Sequence, residues 1–431
     1  MTATHSRPES DVDTTNPPSN GVDAQGLMRL GIIVALLTAL SIALHIGGGV
    51  LVVVAILAMI MMHEFGHFIT ARWAGMKVTD FFVGFGPVLW SVQKGETRYG
   101  VRALPAGGYV RVIGMNNLEE VAPEDEPRTY RAKSYFQRVR FAIAGSVTHF
   151  LMAYLLMVAL LAGVGVAATT TTLDRVIHHN TDGSFSPAYA VGMRAGDKIV
   201  ALNGTPMSST DFDKVAKVIQ NSAGRSIDVT VERAGRRINF IVTPTDTRTT
   251  AEIAQGAPAV GHIGIEAKEA TVRKPVPVAM WHGATEVEHV TVDSAKALVG
   301  MFSKSNVKNY GKQLTETGPA DPKKDGNRLL SPVGLARIAN ASAKEGVGST
   351  LFLLIAINVF VGIFNMLPLP PFDGGHVAVA TYEEIASRIK GRRHMMDMNK
   401  MLPVAYVVVV ALALLSLSAL WLDIVHPFKL G

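Results

Sequence analysis

Long uninterrupted apolar blocks dominate the chain, and they limit what it can fold into. A helix needs about 20 apolar residues to cross the roughly 30 Å hydrocarbon layer of a membrane, and several blocks of this 431-residue chain are about that long. The sequence therefore predicts a polytopic α-helical membrane protein of four to five transmembrane helices. The five blocks that we interpret as spans are Leu27–Leu44, Gly49–Ile69, Phe141–Ala168, Thr350–Leu367 and Pro403–Trp421.

The first block is the weakest of the five. Leu27–Leu44 is followed almost at once by "HIGGG", so it is either a separate span in a tight hairpin or the first part of one long bent helix. A cleaved signal peptide fits less well, because a polar tail of 26 residues precedes the block and no clean small-x-small cleavage site follows it. This tail is rich in Ser, Thr, Pro and Asp, and we expect it to be disordered.

Positive charge near the span ends predicts the orientation, because short loops rich in Lys and Arg stay in the cytoplasm. The segment from Arg72 to Arg140 carries eleven such residues and the segment from Arg388 to Lys400 carries five. Both are expected inside. Residues 169–349 carry little positive charge near their membrane ends and are expected outside. With five spans, the N-terminus lies inside.

Charge and composition exclude several functions. The net charge of +6 is accounted for largely by basic membrane loops, so we expect the lipid bilayer as a partner and no nucleic acid. The chain has no cysteine, which removes disulfides, thiolate ligands and a cysteine nucleophile. Any metal must be held by histidines and carboxylates.

The outer segment changes from apolar blocks to alternating residues and turn signals. It predicts a small-residue loop at Pro187–Gly196, a strand at Lys198–Leu202, a turn at Asn203-Gly204 and an amphipathic helix near Thr210–Asn221. Two further strands, "SIDVTVERAG" and "RINFIVTP", follow around an Ala234-Gly235 turn. This order resembles a PDZ domain, which binds an extended peptide or chain end as an added strand. A generic small α+β domain is the alternative.

The strongest chemical signal is "HEFGH" near the end of the second span. His63 and His67 are four residues apart and so share one helix face, with Glu64 beside the first. In this HExxH pattern two imidazoles bind Zn²⁺ and the glutamate takes a proton from water. Ionisable groups inside a membrane are costly and are functional by default, which favours this role over interhelical hydrogen bonding. Counting about 1.5 Å per residue from Gly49, the histidines lie roughly 21 Å deep, in the cytoplasmic third of the membrane.

A third ligand is required, because catalytic zinc has three protein ligands and one open position. The fourth span ends in "NMLPLPPFDGGHVAVA", where prolines break the helix. Broken backbone at membrane depth is tolerated only against protein or a water-filled cavity. Asp373 is a carboxylate in such a segment, and we assign it as the third zinc ligand.

Together, "HEFGH", "NMLPLPPFDGG" and the PDZ-like domain between them resemble the site-2 protease family of intramembrane zinc metalloproteases, of the bacterial regulator-of-sigma-E protease type. The resemblance implies zinc bound by His63, His67 and Asp373, with Glu64 as catalytic base. It also implies a plasma-membrane enzyme acting in regulated intramembrane proteolysis. The expected substrates are single-span proteins, either an anti-sigma factor or a signal-peptide remnant, already trimmed outside by a site-1 protease.

The same resemblance implies substrate-binding residues. The stretch "FFVGFGPVLWSVQKGETRYGVRALPAGGYVRVIGM" reads as β-hairpins that turn around Lys94-Gly95 and Ala106-Gly107-Gly108. In the family this region dips back toward the active site and is thought to hold substrate as an added strand, which implicates Gly107 and Gly108. Asn365 is expected to bond the unwound substrate backbone, and Gly196 to lie at the peptide site of the PDZ-like domain. A purely architectural role is the alternative.

We accordingly divide the chain into a disordered tail (1–26), membrane helices ending in the HExxH helix (27–70), a cytoplasmic-side loop with re-entrant β-hairpins (71–138), a transmembrane helix (139–168), a PDZ-like extracytoplasmic domain (169–268), an extracytoplasmic helical linker (269–348), a broken transmembrane helix with the Asp-Gly motif (349–376), a cytoplasmic loop (377–400), and the last transmembrane helix with the C-terminus (401–431).

Other interpretations stay open. The chain has Gly145-Ser146-Val147-Thr148-His149 where family members often show Gly-Pro-x-x-Asn, so the resemblance does not carry the Asn contact over to this chain. His149 and His376 are alternative metal ligands. A serine protease would leave HExxH unexplained and lacks a Gly-x-Ser-x-Gly elbow. The main rival is a membrane-anchored PDZ adaptor that binds chain ends without cleaving them. A metal transporter fits the motif set less well.

Overall fold

The computed structural model describes residues 47–115, 119–180, 182–248, 255–315 and 329–427, together with positions 25, 26, 28, 29, 31, 32 and 35. Within these residues, four helices are long and apolar enough to cross a membrane. They confirm the prediction of a polytopic helical protein with a β-rich part. Most of the first predicted span, Leu27–Leu44, lies outside the described residues, as does most of the tail at 1–26. The four membrane-compatible segments are Gly49–Trp73, Tyr135–Val164, Val347–Asn365 and Leu402–Val425.

The described residues divide into two compact units, Met1–Leu160 with Val276–Gly431, and Leu161–Pro275. We call them the membrane unit and the inserted unit. The helices are α1 (Gly47–Trp73), α2 (Tyr135–Ala159), α3 (Pro187–Ala190), α4 (Phe212–Gln220), α5 (Val276–Met301), α6 (Lys304–Gln313), α7 (Pro332–Glu345), α8 (Val347–Asn365), α9 (Asp373–Lys390) and α10 (Leu402–Val425). The strands are β1 (Val78–Lys94), β2 (Thr97–Val112), β3 (Val166–Val176), β4 (Lys198–Leu202), β5 (Thr205–Pro206), β6 (Ile227–Arg233), β7 (Arg236–Val242), β8 (Thr245–Asp246), β9 (Gly261–His262) and β10 (Ile265–Val272).

The second helix of the membrane unit begins and ends earlier than the sequence predicts. It begins at Tyr135 because Ser134 and Gln137 form a capping box. A short π-helical segment at Leu160–Val164 follows it. The predicted end at residue 168 is wrong, because the chain from Val166 onward pairs with β10 as strand β3.

Strands β1 and β2 form a sheet that doubles back on itself. The turn between them contains Gly95, as predicted. The second predicted turn lies inside β2, where Gly107 has a φ of 140°. Because the chain turns back there, residues 80–83 of β1 have partners in both halves of β2; Phe81, for example, pairs with Tyr99 and with Val110.

The inserted unit is built on a sheet in the order β10-β3-β4-β6-β7, with β5 beside β4 and a separate β8-β9 pair. Buried residues alternate along β6, since successive side chains of a strand point to opposite faces. Helix α4 adds Val215 and Ile219, four residues apart on one face. These apolar side chains form a single core in the unit.

The element predictions for this unit are confirmed between residues 198 and 242. The predicted loop at Pro187–Gly196 is wrong at its start, because Ser186 caps a short helix, α3, whose first residue is Pro187. The strand at Lys198–Leu202 has the predicted bounds, and α4 lies inside the predicted helix. Asn203-Gly204 and Ala234-Gly235 all have positive φ, as the tight turn of a two-residue hairpin requires. The predicted limits of 169–268 are too narrow, because β3 and β10 pair along their length, from Ile265 with Val176 to Val272 with Val166. The likeness to a PDZ domain stays a prediction.

A buried ion pair joins α2 to α9 in the membrane unit. The Arg138 guanidinium donates to a carboxylate oxygen of Glu383, and these residues are 7% and 2% exposed. The second oxygen of Glu383 accepts from the Met396 amide at 2.7 Å, and Arg138 also lies against the Tyr130 ring. Both carboxylate oxygens of Glu383 are thereby satisfied, which a buried charge requires.

We predict that Glu383→Ala destabilises the protein by about 3–5 kcal/mol, because it leaves Arg138 buried without a counter-charge. The neighbouring Glu384→Ala is the matched control. Glu384 pairs with Arg388 on a half-exposed helix face, and an exposed i,i+4 pair contributes about 0.3–0.5 kcal/mol. Thermal unfolding in detergent measures both variants, and equal losses would contradict the role of the buried pair.

Candidate metal centre

The two histidines of the HExxH motif face each other on α1. They lie one helical turn apart, which directs both imidazoles to the same side. His63 is 7% exposed and His67 is 5% exposed. Their Nε2 atoms are 3.2 Å apart. Two ring nitrogens therefore converge within a helix that is otherwise apolar enough to span a membrane.

Asp373 is brought to the histidines by the turn between α8 and α9. It is the first residue of α9, and its Oδ2 lies 3.3 Å from Nε2 of His63 and 3.3 Å from Nε2 of His67. The turn closes tightly on the next two residues. A Cβ on Gly374 would collide with the carbonyl oxygens of Met366 and Leu367, and Gly375 is similarly confined. The glycines therefore allow the broken segment to place the carboxylate.

These three atoms fit a zinc ion. Zinc bound tetrahedrally by N and O at about 2.0–2.1 Å separates its ligand atoms by roughly 3.3 Å, and the three separations found are 3.2, 3.3 and 3.3 Å. Oδ2 of Asp373 is buried and has no hydrogen-bond partner among the described residues. Such an atom is costly unless a cation or a donor satisfies it. His63, His67 and Asp373 are also the metal-compatible cluster found among the described residues.

The tautomer of His67 suits metal binding. Its Nδ1 lies 2.8 Å from the backbone carbonyl of Phe141. A carbonyl can only accept, so Nδ1 carries the proton and the lone pair of Nε2 faces the metal position. Phe141 belongs to α2, and α2 thus orients a ligand on α1 through its backbone.

Close approach of α1 and α2 depends on two glycines. A Cβ on Gly66 would lie 2.8 Å from the carbonyl oxygen of Ala144. A Cβ on Gly145 would lie 2.5 Å from Nε2 of His67 and 2.5 Å from Nδ1 of His63. Since real Cβ atoms do not approach so closely, any side chain at 145 must displace the histidines.

Glu64, the expected base, lies beside Gly108 of the folded sheet. A Cβ added at Gly108 would be 3.1 Å from Cγ of Glu64 and 2.8 Å from Sδ of Met61. Strand β2 therefore contacts α1 at the residue next to His63. The structure brings Glu64 and Gly108 together, while catalysis by Glu64 and substrate binding at Gly108 stay predictions.

The remaining predicted residues are placed differently. Asn365 ends α8, one residue before the carbonyl that contacts Gly374. Gly107 precedes Gly108 and lies against the Phe85 ring. A Cβ added at Gly107 would be 2.9 Å from that ring. Gly196 belongs to the inserted unit, where its amide donates to the Leu173 carbonyl at 2.8 Å. It therefore does not share a compact unit with the metal cluster.

Neither alternative histidine joins the cluster. His149 is buried, and its Nδ1 lies 2.8 Å from Oδ1 of Asn358. The His376 ring packs against Tyr130, with centroids 6.1 Å apart. The metal-compatible set among the described residues includes neither of them.

Sequence reasoning missed two contributors to the site. Asn358 is fully buried in α8. The sequence feature that could have identified it is an amide side chain within the apolar run "LFLLIAINVFVG". Gly145 lies against both histidines. The sequence feature that could have identified it is a glycine within an apolar helix. Neither signal specifies a partner, because partners across a helix bundle are not encoded by spacing along one helix.

Comparison with known proteins identifies similar chains. The model of peptidase family M50 matches residues 51–412. The chain is 33% identical over 411 residues to the zinc metalloprotease Rip1 of Mycobacterium tuberculosis, covering 90% of this chain and 99% of that protein. It is 32% identical over 417 residues to the zinc metalloprotease Rip1 of Mycolicibacterium smegmatis, covering 89% and 98%.

We predict that Gly145→Ala lowers the affinity for zinc by roughly tenfold or more, because the added methyl group occupies the space of the imidazoles. Gly163→Ala is the control, since a Cβ there meets nothing within 4 Å. Chelator competition on purified protein measures both. Wild-type zinc affinity in Gly145→Ala would show that the histidines do not depend on this close approach.

Proposed function

The chain belongs to peptidase family M50, the site-2 proteases, and from this premise we propose that it is an intramembrane zinc metalloprotease that hydrolyses a peptide bond within or beside a transmembrane segment. One observation carries the proposal. Two imidazole nitrogens and a carboxylate oxygen converge to 3.2–3.3 Å, and the two nitrogens are provided by a helix that is long and apolar enough to cross a membrane.

His63, His67 and Asp373 would hold the zinc, and Glu64 would be the catalytic base. A zinc ion with three protein ligands supplies a Lewis acid that polarises the scissile carbonyl and makes water more acidic. Glu64 would accept the proton of the attacking water and later return it to the leaving amine. Its place beside His63 keeps it next to the three metal-ligating atoms.

The site would lie within the membrane near the cytoplasmic side. In support, His63 is 14 residues from the start of the span at Gly49, or roughly 21 Å at 1.5 Å per residue. The basic segments flanking α2 and α9 favour a cytoplasmic position for the nearby loops. In this orientation the inserted unit is extracytoplasmic.

The substrate would bind as an extended strand beside β2. A transmembrane helix must be unwound before its backbone reaches a hydrolytic site, and the unwound chain needs partners for its amides and carbonyls. Strand β2 at Gly107 and Gly108 could provide them next to Glu64. Asn365, at the end of α8 and close to the Asp373 turn, would bind the same backbone with its amide.

We further propose that the substrates are single-span membrane proteins, either an anti-sigma factor or a signal-peptide remnant, after a first cut outside the membrane. The inserted unit would act as a PDZ-like domain that selects trimmed chains, with Gly196 at its peptide site. Its sheet, its two tight hairpin turns and the helix α4 are compatible with peptide addition at a strand edge.

We predict that Glu64→Gln abolishes cleavage while zinc remains bound, because the amide cannot accept a proton but leaves all three ligands in place. A tagged, externally trimmed single-span anti-sigma factor is incubated with the purified protein in detergent, and bound zinc is quantified. Glu288→Gln, on an exposed position of α5, is the control and should cleave normally. Binding of chain ends by wild type without any cleavage would instead support a peptide-binding adaptor.

Removal of the inserted unit should relax substrate selection without abolishing cleavage. Val166 and Val272 are paired neighbours at its two ends, so a short linker can replace residues 167–271 with little strain. We expect this variant to cut full-length and trimmed substrates at similar rates, while the intact chain prefers the trimmed one. Unchanged preference after the excision would contradict a filtering role.

A further inference from the structure

His149 lies behind the proposed zinc ligands and is not used by them. It belongs to α2, four residues after Gly145, and is 2% exposed. Its ring centroid is 5.1 Å from that of His63, with the planes at 45°. A buried imidazole beside a ligand, and outside the ligand set, requires its own explanation.

Asn358 on α8 determines which nitrogen of His149 carries a proton. The Asn358 side-chain amide donates to the Leu354 carbonyl at 2.9 Å, so its Oδ1 is the atom that faces His149. That oxygen lies 2.8 Å from Nδ1 of His149. Since Oδ1 can only accept, Nδ1 is the donor, and in the neutral ring Nε2 keeps its lone pair.

His63 presents the complementary group. Its Nε2 is the atom directed at His67 and Asp373, so in the metal-binding tautomer its proton is on Nδ1. Nδ1 of His63 is buried and has no hydrogen-bond partner among the residues that the structure describes. His67 differs, since its Nδ1 is bonded to the Phe141 carbonyl at 2.8 Å.

We propose that His149 is the positioning residue for His63, accepting the Nδ1 proton of His63 on its own Nε2. Two imidazoles joined by an N–H···N bond of about 2.9 Å have centroids roughly 5 Å apart, which matches the 5.1 Å separation of the His63 and His149 rings. This inference rests on the proposed function, because it assumes that His63 binds zinc through Nε2.

The resulting chain of hydrogen bonds runs from His63 through His149 and Asn358 to the Leu354 carbonyl. It links α1, α2 and α8. An acceptor behind a metal-bound histidine fixes the ring orientation and increases its basicity, and losing such an acceptor costs about 10–100-fold in metal affinity or activity. In this chain a second histidine would take the place that a carbonyl takes behind His67.

The experiment compares zinc affinity by chelator competition in wild type, His149→Phe, His149→Gln and Val147→Ala, each purified in detergent. We expect His149→Phe to bind zinc about 10–100-fold more weakly. His149→Gln offers an amide oxygen and should stay within about threefold of wild type. Val147→Ala is the matched control, since Val147 lies on α2 two residues before His149 but is 55% exposed, and its zinc affinity should be unchanged.

A spectroscopic readout separates positioning from packing. Cobalt(II) bound in place of zinc should show altered visible bands in His149→Phe and wild-type bands in His149→Gln. Wild-type zinc affinity and cobalt bands in His149→Phe would overturn the inference, as would equal losses in the Phe and Gln variants. If His149→Phe does not fold, His149→Met fills the space with a flexible apolar chain and is read in the same way. Failure of wild type to bind zinc would instead refute the proposed function.

Discussion

The three lone-pair-bearing atoms of His63, His67 and Asp373 repel one another unless a cation lies between them. They are held at 3.2–3.3 Å and are largely shielded from water, so without a cation their mutual repulsion would drive them apart. The surrounding structure must therefore hold three segments of the chain in fixed positions. The close packing of α1 on α2, the tight turn before α9 and the pairing of Arg138 with Glu383 all contribute to this restraint.

Restraint of the site relies on the absence of side chains as much as on their presence. Gly66 and Gly145 let two helices approach until backbone of one orients a ligand of the other, and Gly374 lets the broken segment fold onto itself. In a membrane, small residues are the usual means of bringing helices together, since lipid offers no hydrophobic driving force between them. In this protein the small residues also set the positions of the metal-ligating atoms. A change in the packing of α1 on α2 would therefore change the geometry of the metal site.

Much of this arrangement could be predicted from sequence. Four of the five predicted spans correspond to helices that are long and apolar enough to cross a membrane. The four-residue spacing of His63 and His67 was sufficient to predict that they share one helix face. The hairpin elements between residues 198 and 242 followed from alternation and turn residues. The end of α2 was mispredicted because "VGVAATT" is apolar enough for a span, and only pairing with β10 makes it a strand. His149 and Asn358 were beyond prediction as a pair, since 209 residues separate them and no local pattern links such positions.

The ends of the inserted unit lie side by side, because Val166 pairs with Val272. A segment with adjacent ends can be lengthened, shortened or exchanged during evolution without altering the path of the chain that enters and leaves it. The metal centre and the inserted unit would then be free to diverge at different rates. Relatives could keep the histidines and the aspartate while acquiring a different recognition module. The specificity of such a protease would be inherited separately from its chemistry.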